Sequence, residues 1–200
     1  AKPLDVAMLR RLSETVGAVT RALEDYEYTR ALEQIEAFFW WFCDDYVELV
    51  KGRRYGAHDE DAAASANGAL RAALEVQLRL LAPFLPFVCE EVWSWWQEGS
   101  IHAAGWPSAD ELLPAPPDGD ASEVMLDVAA EVLSEIRKAK STAQLPMRAE
   151  VARAVVRDSG ERLDLLGEVE DDVADAGRVA RFEKVADGAF SVEVEFASGG

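Results

Sequence analysis

Cysteine and histidine are scarce in this sequence, with two of each. Cys43 and Cys89 stand singly in apolar, helical-looking stretches without Cys-x-x-Cys spacing, and His58 and His102 fall on predicted loops far apart in the chain. That distribution argues against a zinc site or a disulfide framework and predicts two buried, reduced thiols and no bound metal. Glycine-rich phosphate loops are missing too. Gly52 and Gly56 flank a basic stretch, but neither Gly-x-x-x-x-Gly-Lys nor Gly-x-Gly-x-x-Gly order occurs, so nucleotide binding by this chain is not expected. No apolar run reaches membrane-spanning length and no signal peptide is present, so the chain reads as cytosolic with no membrane partner. Positive charge is in deficit: 20 Lys and Arg stand against 38 Asp and Glu, a net charge of −18. Such a field repels nucleic acid unless the basic residues gather on one face.

What is present is helical periodicity. The 200 residues are half hydrophobic, enough for one sizeable domain, or a domain with a small appendage. From Val6, the residues Leu9, Leu12, Val16, Val19 and Leu23 recur every three or four positions and predict a first helix. A broader stripe, Tyr28, Leu32, Ile35, Phe39, Phe42, Tyr46 and Leu49, predicts a largely buried central helix. Asp59, Glu60 and Asp61 suit the start of a third helix over about Ala62 to Leu81. Pro83 and Pro86 break it, and Phe84, Val88, Val92 and Trp95 predict a shorter fourth helix that stops near Gly99. The proline-rich stretch from Leu112 to Gly119 reads as an extended linker, and a fifth helix follows from about Ser122 with Leu126, Ala129, Leu133 and Ile136 as its stripe. Beyond Met147 the texture changes to a strand around Val151 to Val156 and an acidic helix over about 160–176. Two alternating runs, Val179 to Val185 and Phe190 to Phe196, then read as strands joined through Asp187-Gly188. The expected architecture is mainly α: a helical bundle over 1–147 and a small α/β appendage over 148–200.

No catalytic constellation emerges. Asp44/Asp45 and Glu90/Glu91 are paired carboxylates without a histidine, nucleophile or glycine loop beside them, as solvated helix faces are. The six tryptophans, four of them in the pairs Trp40/Trp41 and Trp95/Trp96, fit core fillers, with one or two left to stack on an unpaired base at the rim. Lys51, Arg53 and Arg54 end the second helix, and Arg137, Lys138 and Lys140 end the fifth. Cations there balance the helix dipole. If the two ends converge, they also make a local positive pocket on an acidic body.

Three segments carry a resemblance. ALEQIEAFFWWFCDDYVELVKGRRY, from Ala31 to Tyr55, contains Phe42-Cys43-Asp44-Asp45-Tyr46. LRLLAPFLPFVCEEVW runs from Leu78 to Trp93, and Ser100-Ile101 is followed by Trp106-Pro107. In order and spacing they resemble the anticodon-binding bundle of the class I aminoacyl-tRNA synthetases. The proline-broken helix is shared by the valine, isoleucine and leucine enzymes, and the Phe-Cys-Asp-x-Tyr run is similar to the valine enzymes. The resemblance covers about residues 4 to 147. It implies a tRNA anticodon-recognition module, with the anticodon arm of tRNA and the N-terminal remainder of a synthetase as partners, and no DNA. The intact enzyme would use ATP to attach valine to its tRNA. His-x-Gly-His and Lys-Met-Ser-Lys-Ser are absent from this chain, so the fragment itself is expected to be non-catalytic and to hold no cofactor. Within it, charge and position make Lys51, Arg53, Arg54, Arg137 and Lys140 the candidates for phosphates or base edges, and Tyr46 or Tyr55 for stacking. The same module of an isoleucine or leucine enzyme is the neighbouring reading, and an acidic helical protein-interaction scaffold is the alternative of a different class.

Overall fold

A computed structural model of the chain describes residues 1–55, 60–112 and 121–197. Gly56, His58, Asp59 and the proline-rich segment 113–120 lie outside the described residues.

The first helix, α1, spans Pro3–Glu24. Pro3 fits its first turn, where no amide donor is needed, and Asp5 lies where the dipole favours a carboxylate. Leu4, Met8, Leu12, Val16 and Val19 form its buried stripe. A long second helix comes in three parts: α2 (Tyr28–Trp41), a π-helical turn (Phe42–Tyr46) and α3 (Val47–Arg54). In the π turn the Val47 amide donates to the Phe42 carbonyl, five residues back. The turn coincides with Phe-Cys-Asp-Asp-Tyr, and the rings of Phe38, Phe42 and Tyr46 stack in series with centroids 6.0 and 5.5 Å apart.

Helix α4 (Glu60–Leu81) ends before Pro83, and α5 (Pro86–Ser94) begins on Pro86. The face of α5 differs from the expected one. Cys89 and Trp93 are buried with Leu78, Ala82 and Ile101 in a small satellite core, while Val88 and Trp95 face outward. Both sides of this helix are apolar, so periodicity could not choose between them. The Ser100 to Trp106 segment straps the bundle: Ile101 fills the satellite core and the Trp106 indole N–H donates to Thr20 Oγ1 at 2.9 Å.

Helix α6 (Ala121–Thr142) leads to strand β1 (Val151–Asp158), then α7 (Gly160–Glu168), α8 (Glu170–Gly177), β2 (Phe182–Ala186) and β3 (Ser191–Phe196). The single acidic helix expected here is two, parted at Val169, which is buried with Leu163, Leu166 and Val173. The two last strands are joined through Asp187-Gly188 but do not pair with each other. The sheet order is β2-β1-β3, with β2 parallel and β3 antiparallel to β1. β1 has the most buried apolar residues and takes the centre, and α7 and α8 form the crossover that a parallel pair requires. Edge strands bearing Lys184, Glu193 and Glu195 remain outside, as charged edges do.

One hydrophobic core runs through both parts of the chain, from Leu4 and Tyr46 through Leu133 and Ile136 to Val156, Leu166 and Val179. No helix among the described residues is long and apolar enough to cross a membrane.

Candidate nucleic-acid interface

The C-terminal ends of α3, α6 and α8 meet at one end of the molecule around a cleft of about 700 Å³. Lys51 and Tyr55 line it from α3, Arg137 and Lys140 from α6, and Arg148 and Arg178 from the appendage. Gly52 makes the approach of α3 to α8 possible. A Cβ there would lie 2.3 Å from Asp175 Oδ2 and 2.9 Å from Asp175 Cβ.

Four of the expected residues stand at this surface or beside it. Lys51 is exposed and pairs with Glu48 at 3.3 Å. Tyr55, 79% exposed, has the Arg54 guanidinium 5.8 Å from its ring centroid, although Arg54 itself does not line the cleft. Arg137, half-buried, donates to the Asp44 carbonyl at 3.1 Å and lies 3.5 Å from Glu48. It therefore joins α6 to the π turn while leaving part of its fork at the cleft.

The other three are interior, which corrects their expected role as RNA contacts. Tyr46 is fully buried, offers no stacking surface and donates its hydroxyl to Asp5 Oδ1 at 2.7 Å. Arg53, 3% exposed, is enclosed by carboxylates: its Nη atoms reach Asp5 at 2.7 and 2.8 Å and its Nε reaches Asp172 at 2.6 Å. Ser65 also donates to Asp5. With three of its five N–H donors committed in this way and the group shut off from solvent, the guanidinium is out of reach of a phosphate. Lys140, 1% exposed, reaches the cleft wall, but its ammonium is spent on backbone, donating to the Met147 and Gly177 carbonyls at 2.9 and 2.8 Å. It caps the end of α8.

The tryptophans divide similarly. Trp93 is buried, Trp41 is half-buried beneath the Arg11 guanidinium at 4.2 Å, and Trp40 and Trp95 are exposed.

Electrostatics at the cleft run opposite to the bulk charge. Five cations line it against the carboxylates of Glu48 and Asp175. Burial and the neighbouring charges of Arg178 and Arg137 lower the Lys140 pKa, as a locally positive potential does. The thiols show no such activation: burial raises Cys43, helped by Asp44, and burial raises Cys89. Both are free. The sequence reading missed Arg148 and Arg178, which are isolated cations separated from the other clusters by turns and strands. No local pattern announces them.

Comparison with known proteins gives a consistent result. The family described as "Anticodon-binding domain of tRNA ligase" matches residues 5–156. The chain is 50% identical over 198 residues to the valine–tRNA ligase of Thermobifida fusca, covering 98% of this chain and 22% of that protein. It is 48% identical over 192 residues to that of Salinispora arenicola, covering 89% and 22%, and 48% over 173 residues to that of Cutibacterium acnes, covering 86% and 19%. The chain thus spans about a fifth of the length of these curated relatives.

Proposed function

The chain belongs to the anticodon-binding domain family of tRNA ligases, and from that footing we propose that it is the anticodon-recognition module of a valine–tRNA ligase. The intact enzyme works in the cytoplasm and uses ATP to esterify valine to tRNA. This module binds the anticodon arm, carries no cofactor of its own and leaves the chemistry to the remainder of the polypeptide. The observation that supports the reading is the cleft where Lys51, Tyr55 and Arg137 come together on a chain of net charge −18. An acidic body with one basic recess localises a phosphate backbone and repels it elsewhere, which favours one docking pose over diffuse binding. Phosphate contacts set the pose, and Tyr55 presents a ring on which an unpaired anticodon base can stack.

The test is equilibrium filter binding of a valine-accepting tRNA transcript and of the same transcript with an isoleucine or a leucine anticodon. Saturable, salt-sensitive binding that prefers the valine anticodon is expected. Arg137→Ala should weaken it per folded molecule, with about 0.5–1.5 kcal/mol of stability lost along with its bond to the Asp44 carbonyl. Equal affinity for all three transcripts removes the valine assignment, and no saturable binding at low salt favours the protein-interaction scaffold.

A further inference from the structure

We infer that the C-terminal α/β unit is a working wall of the nucleic-acid cleft, with Arg148 and Arg178 as its phosphate-binding cations; this rests on the reading of the cleft given above. The family match ends at residue 156, so Arg178 lies outside the region the family describes.

The first argument is how the unit's cations are used. Arg153 is taken by Glu183 and Glu195, Arg157 by Asp187 and Glu193, Arg162 by Asp158 and Glu131, and Lys184 by Glu170. Arg148, Arg178 and Arg181 take part in no ion pair among the described residues, and of these three Arg148 and Arg178 line the cleft. The charge of these two is left to face an incoming anion.

The second argument is backbone conformation. Arg178 has φ 53° and ψ 47° directly after α8, a left-handed position that glycine or asparagine ordinarily fills. With that turn, the Arg178 guanidinium lies over the approach to β1, donating one hydrogen bond to the Arg148 carbonyl at 2.9 Å. Strain of this kind persists where the surroundings hold it, and it accumulates at binding sites.

The third argument is rigidity. Arg53 pairs with Asp172, the Lys140 ammonium holds the Gly177 carbonyl, and Gly52 admits Asp175, so α8 is tied to the bundle at three levels. A wall fixed in this way presents its cations at a constant distance from Lys51 and Arg137, as preorganised binding requires.

The experiment measures affinity of this chain for the valine-accepting tRNA transcript across a series of KCl concentrations. The variants are Arg148→Ala, Arg178→Asn and both together, with Arg181→Ala as a charge-matched control outside the cleft. Asparagine keeps the left-handed turn accessible, and circular dichroism melts verify that each variant is folded. Each cleft variant is expected to reduce the slope of log affinity against log salt by about 0.7–0.9, and the pair by about twice that. Arg181→Ala should leave the slope unchanged. If Arg148→Ala and Arg178→Asn match the control while Lys51→Ala and Arg137→Ala still reduce the slope, the inference is overturned and the cleft stands as a bundle site alone. If none of these substitutions changes the slope, the reading of the cleft fails as well.

Discussion

Arg53 on α3 and Asp172 on α8, 119 residues apart in sequence, meet at 2.6 Å in the interior. With Asp5 held bidentate on the same guanidinium, one cation joins the first helix, the central helix and the appendage. Burial by itself lowers the Arg53 pKa, and the hydrogen bonds and charges of Asp5 and Asp172 more than reverse it. Removing the cation leaves two buried carboxylates without their counter-charge, although Asp5 keeps the hydroxyls of Tyr46 and Ser65. Arg53→Met should therefore cost about 3–5 kcal/mol in urea unfolding. A loss below about 1 kcal/mol, in the range of an exposed pair, would show that the network is solvated in solution.

Tyr46 feeds the same network. Its phenol pKa is raised well above 10.0 by burial first and then by the charge and hydrogen bond of Asp5. The folded state therefore keeps this proton where the unfolded chain releases it. The resulting stability is complete below about pH 10 and is lost as pH rises toward the folded value. Tyr46→Phe should lose about 1–2 kcal/mol at neutral pH, and its stability should fall less steeply above pH 10 than that of the parent. Parallel stability profiles above pH 10 for the two proteins would contradict this.

Lys140 separates capping from phosphate binding. Lys140→Met keeps the aliphatic packing but leaves the Met147 and Gly177 carbonyls without their donor, which should cost about 1–3 kcal/mol. Amide exchange should quicken at the end of α8 and around residues 178–180 while α1 stays protected. The salt slope of tRNA binding should not move, and a reduced slope would return Lys140 to the phosphate contacts.

Trp40 and Trp41 are adjacent and unequal. Trp40 is 60% exposed, whereas Trp41 packs against the core beneath Arg11. Trp40→Ala should change stability by no more than about 0.5 kcal/mol, the range of ordinary surface substitutions. Trp41→Ala should cost about 2–3 kcal/mol, short of the 3–5 typical of a fully buried aromatic because part of the ring remains in solvent. Equal losses in chemical denaturation would mean that the central helix is rotated from the orientation described.

Elements with one apolar stripe and clear punctuation were legible from the chain. Leu12, Val16 and Val19 set the inner face of α1, and Pro83 and Pro86 set the break between α4 and α5. The Phe42 to Tyr46 run was legible as a family resemblance, but its π geometry was not, because one wider turn barely alters a stripe already broad with aromatics. At α5 the stripe pointed to Val88 and Trp95 while the core took Cys89 and Trp93, since both faces were apolar enough to bury.

The basic cluster draws the same line at finer scale. By itself the sequence determined that Lys51, Arg53 and Arg54 end one helix and Arg137 and Lys140 another, and that the chain is a helical bundle with an α/β appendage. Consecutive helical residues point about 100° apart, so adjacent cations cannot all share one environment. Which of them turns inward depends on whether a carboxylate waits there, and for Arg53 those carboxylates are Asp5 and Asp172, supplied by helices 48 and 119 residues away. The placement of Arg148 and Arg178 beside Lys51 was likewise decided by the packing of α8 on α3 across Gly52. Helix periodicity is a local property of the chain, whereas the pairing of buried charge is settled only when distant segments exclude water from the space between them.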